Sequence, residues 1–434
     1  MSGTFATHPY YRAVEFNATL RGAGLRVFTK AGFPNWDGIS PATNLLAESI
    51  MLPPDARVLQ LGCGHGALGV ALARAVPQGE VLLVDATATA IALATRTLTA
   101  NGIANARVSG DPLDELPAAA SFDVVVLEAP AGRKFARRWL ALAGHALKPG
   151  GQLYVAGPKA EGIESIIADA RALCGQASIL AYRDHNRIAV VTPIEGHLPP
   201  EWASDPGIAP GTWAEASVNL AGTRTRIASL AGIFSYDRLD AGTAFLLDNA
   251  QFRPGERVLD AGCGWGALGI AAARAGAAQV DLIDNSLLAV AAAGRNLADL
   301  GLANARVLPS DALTAVAGER YDLIVTNPPF HTGKAVDYDA AGAFIAGARE
   351  LLNPRGRLLL VANAFIRYER AMQETFNSVE TVAENDRFHI LQSPIREPRR
   401  HEDVESEEEL LLVGPRPAER RSAHGGRRSA GKKR

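Results

Sequence analysis

Short apolar runs of strand length alternate with longer stretches of helical periodicity along the second half of the chain. The apolar runs predict strands over 257–260, 280–284, 305–308, 323–326 and 357–362, and the stretches between them predict helices over 266–276, 287–300 and 341–352. Strands that alternate with helices in this order favour a parallel sheet with helices on both faces.

The first half of the chain repeats the pattern of the second. The segment 57–69, RVLQLGCGHGALG, returns at 257–269 as RVLDAGCGWGALG, an offset of 200 residues. The segment 104–108, ANARV, returns at 303–307, an offset of 199 residues. A period of this length indicates a duplicated domain rather than a solenoid of short repeats.

Each copy ends in two further strand-like runs, which we expect to form an antiparallel hairpin at the end of the sheet. These runs lie at 178–182 with 188–192 in the first copy, and at 389–392 with 410–413 in the second. The predicted fold is therefore α/β, with two tandem Rossmann-like domains. Each is expected to be a mostly parallel sheet with a terminal antiparallel hairpin and helices on both faces.

Composition divides the chain into four parts. We assign 1–193 to a first domain, the Pro- and Gly-rich segment 194–219 to a linker, and 220–414 to a second domain. The charged stretch 396–409 is expected to be a solvated loop between the last two strands, and the basic residues 415–434 a disordered tail. Such a tail can contact phosphate backbones weakly, but a solubilising role explains it equally well.

The overall composition excludes several classes of protein. The formal net charge is −2, so any surface that attracts nucleic acid must be local. Three cysteines without a Cys-x-x-Cys pair indicate neither a disulfide framework nor a structural zinc site. The N-terminus lacks the apolar core of a signal peptide, and no apolar run is long enough to span a membrane. We therefore expect a cytoplasmic protein without a metal.

A glycine-rich loop follows the first predicted strand of the second copy and opens a helix. Its pattern is Asp260-x-Gly262-x-Gly264-x-Gly266. The glycines permit a tight turn and a close approach of a ligand to the backbone. Because nucleotide-binding folds in general share this pattern, the loop alone does not identify the ligand.

Three carboxylates near the loop narrow the choice of ligand. Asp284 ends the next strand, 22 residues after Gly262, where a carboxylate can accept both hydroxyls of a ribose. Asp260 disfavours a pyrophosphate, which it would repel, and favours a ligand that carries an ammonium or a sulfonium. Asp311, after the third strand, can accept from an adenine amino group. The set suits a cationic adenosyl ligand better than NAD.

A stiff turn, TNPPF at 326–330, follows the apolar run 321–325. The two prolines fix φ and remove two backbone donors, so the chain must leave the sheet abruptly. This exposes the Asn327 carboxamide and nearby carbonyls at the edge where open α/β sheets bind ligands. Uncharged acceptors beside the flat face of Phe330 suit a planar group with an NH2. The alternative is a strand-ending turn whose Asn caps a neighbouring segment.

At these residues the second copy resembles a class I S-adenosylmethionine-dependent methyltransferase of the Asn-Pro-Pro-aromatic group. The whole chain resembles the tandem-domain bacterial ribosomal RNA guanine-N2 methyltransferases of the RsmC type, through the duplication, GIFSYDRLDAGT at 232–243 and NPPFH at 327–331. The resemblance implies that S-adenosylmethionine is the cofactor. It implies methylation of a guanine N2 in ribosomal RNA, with the small subunit favoured. The partner is then ribosomal RNA or an assembled ribosomal subunit, and we expect a monomer.

In this mechanism the Asn327 and Pro328 carbonyls accept the two amino hydrogens and direct the nitrogen lone pair at the methyl sulfonium. Phe330 stacks on the base. Phe234, Asp240 and Thr243 are expected to close over the methionine end of the cofactor, although core packing explains Phe234 equally well. The candidate catalytic residues are Asn327, Pro328 and Phe330. The candidate cofactor-binding residues are Asp260, Gly262, Gly264, Gly266, Asp284, Asn285, Asp311, Asp240, Thr243, Phe234 and Asn327.

The first copy departs from the second at the chemical positions. Gln60 replaces Asp260, Ser40 replaces Asp240, and Glu128-Ala129-Pro130 replaces the Asn-Pro-Pro turn. Glu128 would place a charge where a base must dock. We therefore predict that the first copy does not catalyse methylation, and the resemblance implies that it supports folding and holds RNA.

Four other functions remain open at this point. They are guanine-N2 methylation of large-subunit ribosomal RNA, glutamine methylation of a protein, adenine-N6 methylation of nucleic acid, and a non-catalytic RNA-binding scaffold. An amide NH2 fits the same turn as an amino group of a base. The retained Asp260, Asp284 and Asn327 argue against the scaffold.

Overall fold

A computed structural model describes residues 7–111, 119–328, 331–332, 335–336 and 338–395. Within these ranges the chain forms two seven-stranded sheets, one in each half, together with short two-stranded hairpins. No helix in the described ranges is both long and apolar enough to cross a bilayer.

The first half begins with an antiparallel hairpin and continues into a seven-stranded sheet. The sheet has the order β5-β4-β3-β6-β7-β9-β8; its first five strands run parallel, and β9 and β8 are antiparallel. The strands are β1 (Ala13–Leu20), β2 (Ala23–Lys30), β3 (Arg57–Leu61), β4 (Glu80–Asp85), β5 (Ala106–Gly110), β6 (Phe122–Glu128), β7 (Leu147–Pro158), β8 (Gly175–Arg183) and β9 (Asn186–Pro193). The helices are α1 (Pro41–Ser49), α2 (Ala67–Ala75), α3 (Ala88–Ala100), α4 (Arg133–Ala146) and α5 (Ile163–Cys174).

The second half has the same order of elements. Its sheet runs β14-β13-β12-β15-β18-β20-β19, again with the last two strands antiparallel. The strands are β10 (Ala214–Leu220), β11 (Thr223–Ser229), β12 (Arg257–Ala261), β13 (Gln279–Asp284), β14 (Ala305–Pro309), β15 (Tyr321–Thr326), β16 (His331–Thr332), β17 (Ala335–Val336), β18 (Leu352–Asn363), β19 (Glu380–Glu384) and β20 (Phe388–Pro394). The helices are α6 (Ala241–Asn249), α7 (Ala267–Arg274), α8 (Leu287–Asp299), α9 (Tyr338–Leu351) and α10 (Glu369–Phe376).

The predicted fold class is confirmed, with one correction in the second half. Residues 389–392 lie in β20, which pairs with β18 and β19 rather than with a later strand, so the terminal hairpin there consists of β19 and β20. β19 is an edge strand with mostly exposed residues, so it lacks the apolar alternation that marks a strand in sequence. Its turn is closed by Asn385, whose Oδ1 accepts from the amides of Arg387 and Phe388, at 2.9 Å each.

The proposed boundaries meet the structure only in part. Strand β10 begins inside the segment 194–219 that we assigned to a linker. The charged stretch 396–409, the expected strand 410–413 and the tail 415–434 lie outside the described residues.

Two positions require glycine, one in the loop before α7 and one in the first turn of that helix. Gly266 adopts φ +101°, a conformation that L side chains rarely take. Gly269 lies against β13, where an added Cβ would come within 2.5 Å of a Leu282 methyl. The loop and the first turn of α7 are thereby held close to the sheet.

The two halves meet through the residues that follow the acidic ends of β4 and β13. Thr87 and Ser286, which occupy equivalent positions, form an antiparallel bridge. Two further hydrogen bonds flank the bridge, from Ala88 N to Asn285 O at 2.9 Å and from Leu287 N to Ala86 O at 2.8 Å. Because the partners are equivalent residues of the two copies, the contact has a local pseudo-twofold arrangement. A single apolar cluster continues across the junction, from Trp139 through Trp202 to Leu288.

Candidate active site

The Asn327 carboxamide is fixed at the carboxyl end of β15. Its Nδ2 donates to Asp240 Oδ2 at 3.0 Å and to Thr243 Oγ1 at 2.9 Å. A carboxylate oxygen only accepts, so this contact determines which end of the carboxamide is the nitrogen. Both Nδ2 protons are used, and the carbonyl oxygen Oδ1 is the group left to accept from a substrate.

The start of α6 supplies both partners of Asn327. Asp240 is the N-cap of this helix, and its Oδ2 also accepts from Thr243 N at 3.0 Å. The same carboxylate oxygen therefore caps the helix and orients the Asn327 amide. The motif at 232–243 and the turn at 327 are joined by this contact, although 87 residues separate Asp240 from Asn327.

The remaining residues of the turn are described only in part. Pro328 is buried beside Asn327. Phe330 lies outside the described residues, so its stacking role stays a prediction. Phe234 is 67% exposed, which rules out core packing as its explanation. Its contact with a cofactor also stays a prediction.

Asp284 ends β13 beside the glycine loop. Its Oδ2 accepts from Gly264 N at 2.9 Å and its Oδ1 from Ser286 N at 2.8 Å. Burial raises the pKa of Asp284, and these backbone donors lower it. Each anchored oxygen has a further lone pair, so the carboxylate can accept hydrogen bonds from two neighbouring hydroxyls.

Asp260 is fully buried at the end of β12. Its Oδ2 accepts from Gly269 N at 2.7 Å, whereas Oδ1 has no hydrogen-bond partner among the described residues. Burial raises the pKa of Asp260 to about 7, with a further contribution from the charge of Asp284. A buried carboxylate with an unpaired oxygen is destabilised unless a positive group lies near it. The site therefore fits a cationic ligand.

Two candidate cofactor residues have partners in the other half of the chain, which the sequence did not reveal. Asn285 Oδ1 accepts from the amide and the hydroxyl of Thr89, at 3.0 and 2.9 Å. Asp311 Oδ2 lies 2.5 Å from Lys30 Nζ. The two partners are 281 residues apart in sequence, and no local pattern links them.

In the first half the corresponding turn carries the carboxyl group of Glu128 in place of a carboxamide. Glu128 Oε2 accepts from Thr43 Oγ1 at 2.6 Å, and its Oε1 lies 3.4 Å from Gln60 Nε2. Burial raises the pKa of Glu128 to about 7, against the lowering effect of the Thr43 hydroxyl. This position offers a carboxyl group in place of the neutral carbonyl of the second half.

The side chain of Trp139 lies against Gly62 in the glycine loop of the first half. An added Cβ at Gly62 would lie 3.0 Å from the Trp139 ring. The indole Nε1 donates to Asp111 Oδ2 at 2.9 Å, and Arg138 donates to Asp111 Oδ1 at the same distance. The acidic group that follows β5 is thus paired within its own half.

Comparison with known proteins identifies the family. The model of the methyltransferase small domain matches the chain twice, at residues 24–183 and 224–392. The chain belongs to this family. Ribosomal RNA small subunit methyltransferase C from Pseudoalteromonas atlantica is 34% identical over 278 residues, which are 62% of this chain and 77% of the relative. The enzyme of that name from Pseudomonas entomophila is 36% identical over 272 residues, 62% of this chain and 78% of the relative.

A solved structure agrees with these relatives over most of the chain. It is the 16S rRNA N2-guanine methyltransferase (RsmC) of T. thermophilus, in complex with AdoMet and guanosine. The match has a TM-score of 0.74 at 30% identity and covers 89% of this chain and 99% of the other. The resemblance to RsmC-type methyltransferases is thus confirmed, and the chain is a member of the ribosomal RNA small subunit methyltransferase C family.

Proposed function

We propose that the protein transfers a methyl group from S-adenosylmethionine to the exocyclic N2 of a guanine in 16S ribosomal RNA. The similar T. thermophilus enzyme methylates guanosine 1207 at N2, and the equivalent guanosine is the proposed target here. The curated relatives are named for the small ribosomal subunit, which favours it over the large one.

The observation that carries this proposal is the orientation of Asn327. The exocyclic amine of guanine is planar and donates its lone pair into the ring, so it is a weak nucleophile. Asn327 Oδ1, held by the bonds from Nδ2 to Asp240 and Thr243, accepts one amino proton. The Pro328 main-chain carbonyl accepts the other. Two fixed acceptors favour a pyramidal nitrogen and stabilise the positive charge that develops on it.

The cofactor is held by residues of the loops that follow β12 and β13. When bound, S-adenosylmethionine supplies an electrophilic methyl group. Asp284 binds the ribose hydroxyls through its two anchored oxygens. The unpaired Oδ1 of Asp260 places a negative charge near the cationic end of the ligand. After transfer, the methylated amine is acidic enough to lose its proton to water, and no residue is required as a base.

The first half does not catalyse the reaction in this proposal. Glu128 stands where the second half has Asn327, and its two carboxyl oxygens already accept from Thr43 and Gln60, so this turn offers no free neutral carbonyl to a base. Trp139 lies against Gly62 of the glycine loop and donates to Asp111, which follows β5. We assign 1–193 to this non-catalytic domain, 194–219 to a linker, 220–414 to the catalytic domain and 415–434 to a basic tail. The protein acts as a monomer on ribosomal RNA or an assembled subunit in the cytoplasm.

The proposal is tested by methyl transfer from labelled S-adenosylmethionine to four substrates. These are naked 16S ribosomal RNA, small subunits from a strain that lacks this protein, large subunits, and a translation factor that carries an exposed glutamine. Mass spectrometry of nuclease fragments then locates the product. N2-methylguanine in 16S RNA or the small subunit supports the proposal. Label found only in the large subunit or in the protein substrate would contradict it.

A further inference from the structure

Lys30 belongs to the first half but is paired with the second. It ends β2, and its Nζ lies 2.5 Å from Asp311 Oδ2. The Lys30 side chain is 6% exposed and that of Asp311 28% exposed. Burial lowers the pKa of Lys30, and Asp311 opposes this effect. A lysine that has lost most of its hydration depends on its carboxylate partner.

The N-terminal turn of the first half encloses this ion pair. The Tyr10 ring lies 4.1 Å from Lys30 Nζ and the Tyr11 ring 5.9 Å from it. The Tyr11 hydroxyl donates to Ala343 O on α9 at 3.2 Å. The lysine is therefore held against the second half by aromatic and main-chain contacts, so its position is fixed.

A second contact from the first half reaches the neighbouring loop of the same site. Thr89 donates twice to Asn285, the residue that follows Asp284. The first half thus touches both loops that carry the proposed adenosine-binding carboxylates, Asp284 and Asp311.

The arrangement is not reciprocal between the two copies. The position equivalent to Lys30 is Leu230, which is buried at 1% exposure and carries no charge. The acidic group of the first half, Asp111, pairs with Arg138 and Trp139 of its own half. Among the described residues, only the second half receives a cation from the other half at this position, so the ion pair serves the second half specifically.

We infer that Lys30 is a positioning residue for recognition of the adenine base in the second half. It holds Asp311 through Oδ2 and leaves Oδ1 to accept from the adenine amino group. This inference rests on the proposed function, because it assigns the adenosyl part of the cofactor to that site. It gives the non-catalytic half a direct part in cofactor selection, beyond support of the fold.

The test compares two ligands that differ at the purine edge that Asp311 is proposed to read, in the group at C6 and in the proton on N1. S-adenosylhomocysteine carries a 6-amino donor, and S-inosylhomocysteine carries a 6-oxo acceptor in its place. Calorimetry gives the Kd of each for the full-length protein. The variants are Lys30→Met, Lys30→Arg and, as a matched control on the same strand, Arg26→Met, which removes an exposed ion pair with Glu15.

The wild-type protein and the Arg26→Met control are expected to prefer the adenosyl ligand equally. Lys30→Met should weaken that ligand by about three- to tenfold, as expected when an ordered carboxylate becomes free to rotate. The Kd of the inosyl ligand should be unchanged, so the ratio of the two Kd values should move toward one. Lys30→Arg should restore most of the preference, because it keeps the charge.

Equal weakening of both ligands, or none of either, in a folded Lys30→Met protein would overturn the inference and leave Lys30 as a structural tie between the halves. If that variant does not fold, Asp311→Asn decides instead. This substitution should reduce the same preference, and an unaltered preference would overturn the inference. A wild-type protein that binds neither ligand would instead refute the proposed function.

Discussion

Asn327 donates a hydrogen bond from Nδ2 to Oδ2 of Asp240 over 3.0 Å, and this contact leaves its carbonyl oxygen for a substrate. The equivalent residues of the first half are Ser40, Thr43 and Glu128. Their carboxyl group belongs to Glu128 in the turn, and Ser40 caps the helix. The two copies therefore share a scaffold and differ in which group accepts. The turn of the second half therefore has a carbonyl oxygen left for a substrate, whereas the carboxyl oxygens of the first-half turn are bonded to Thr43 and Gln60.

The substitution Asp240→Ser tests the orienting contact without removal of the helix cap. Serine is as good an N-cap as aspartate, and Ser40 caps α1 in the first half with 2.9 Å to Thr43 N. Its shorter side chain would not hold Asn327. We expect kcat to fall by about 10- to 100-fold as the carboxamide loses its fixed orientation.

The measurements are single-turnover methyl transfer and thermal unfolding of the same preparation. The melting temperature should stay near that of the wild type. A variant with undiminished kcat would show that Asp240 does not orient the amide.

Asp284→Ala should weaken S-adenosylmethionine binding by about 100-fold, because two hydrogen bonds to a charged acceptor are lost. Asp85→Ala is the matched control. Asp85 is anchored in the same way, by Gly64 N at 3.0 Å and Thr87 N at 3.0 Å, but in its loop the Trp139 ring lies against Gly62. Calorimetric titration should show one site, with an affinity that the control leaves nearly unchanged. Equal losses in both variants would mean two working sites.

The dependence of stability on pH tests the environment of Glu128. Its pKa is raised to about 7 in the folded protein, so the folded state binds a proton that the unfolded state has already lost. The stabilisation is fully present below the unfolded pKa and disappears as the pH rises through 7. Glu128→Gln removes this contribution but keeps the shape of the side chain.

We expect the wild-type free energy of unfolding to fall between pH 5 and 8 by about 2 kcal/mol more than that of Glu128→Gln. Urea denaturation at both pH values provides the comparison. Because other buried carboxylates titrate in both proteins, only the difference between the two slopes reports on Glu128. Parallel slopes would show that the carboxyl is ionised at neutral pH.

Much of the fold followed from the sequence because its signals are local. The glycine loop, the acidic strand ends and the apolar runs fix the order β12, α7, β13, and the duplication carries this order to the first half. The edge strand β19 was missed, because an exposed strand carries no apolar alternation. Local patterns thus predict buried strands well and solvent-facing ones poorly.

The sequence predicted which residues belong to the site, but not which residues contact one another there. The assignment of Asp240 and Thr243 to the cofactor stays a prediction, and the structure adds their contact with the Asn327 carboxamide, which no motif indicated. Asn285 and Asp311 meet Thr89 and Lys30 across the junction of the halves. These pairs depend on how two domains dock, which no motif within either domain specifies.

The most direct test of the central claim is single-turnover methylation of 16S ribosomal RNA by Asn327→Ala, with Glu128→Ala as the matched variant of the first half. Loss of one fixed acceptor should reduce the rate by at least about 100-fold, while the affinity for S-adenosylmethionine stays near that of the wild type. Glu128→Ala should methylate N2 of the same guanine at the wild-type rate. Full activity of Asn327→Ala, or loss of activity in Glu128→Ala alone, would contradict the account.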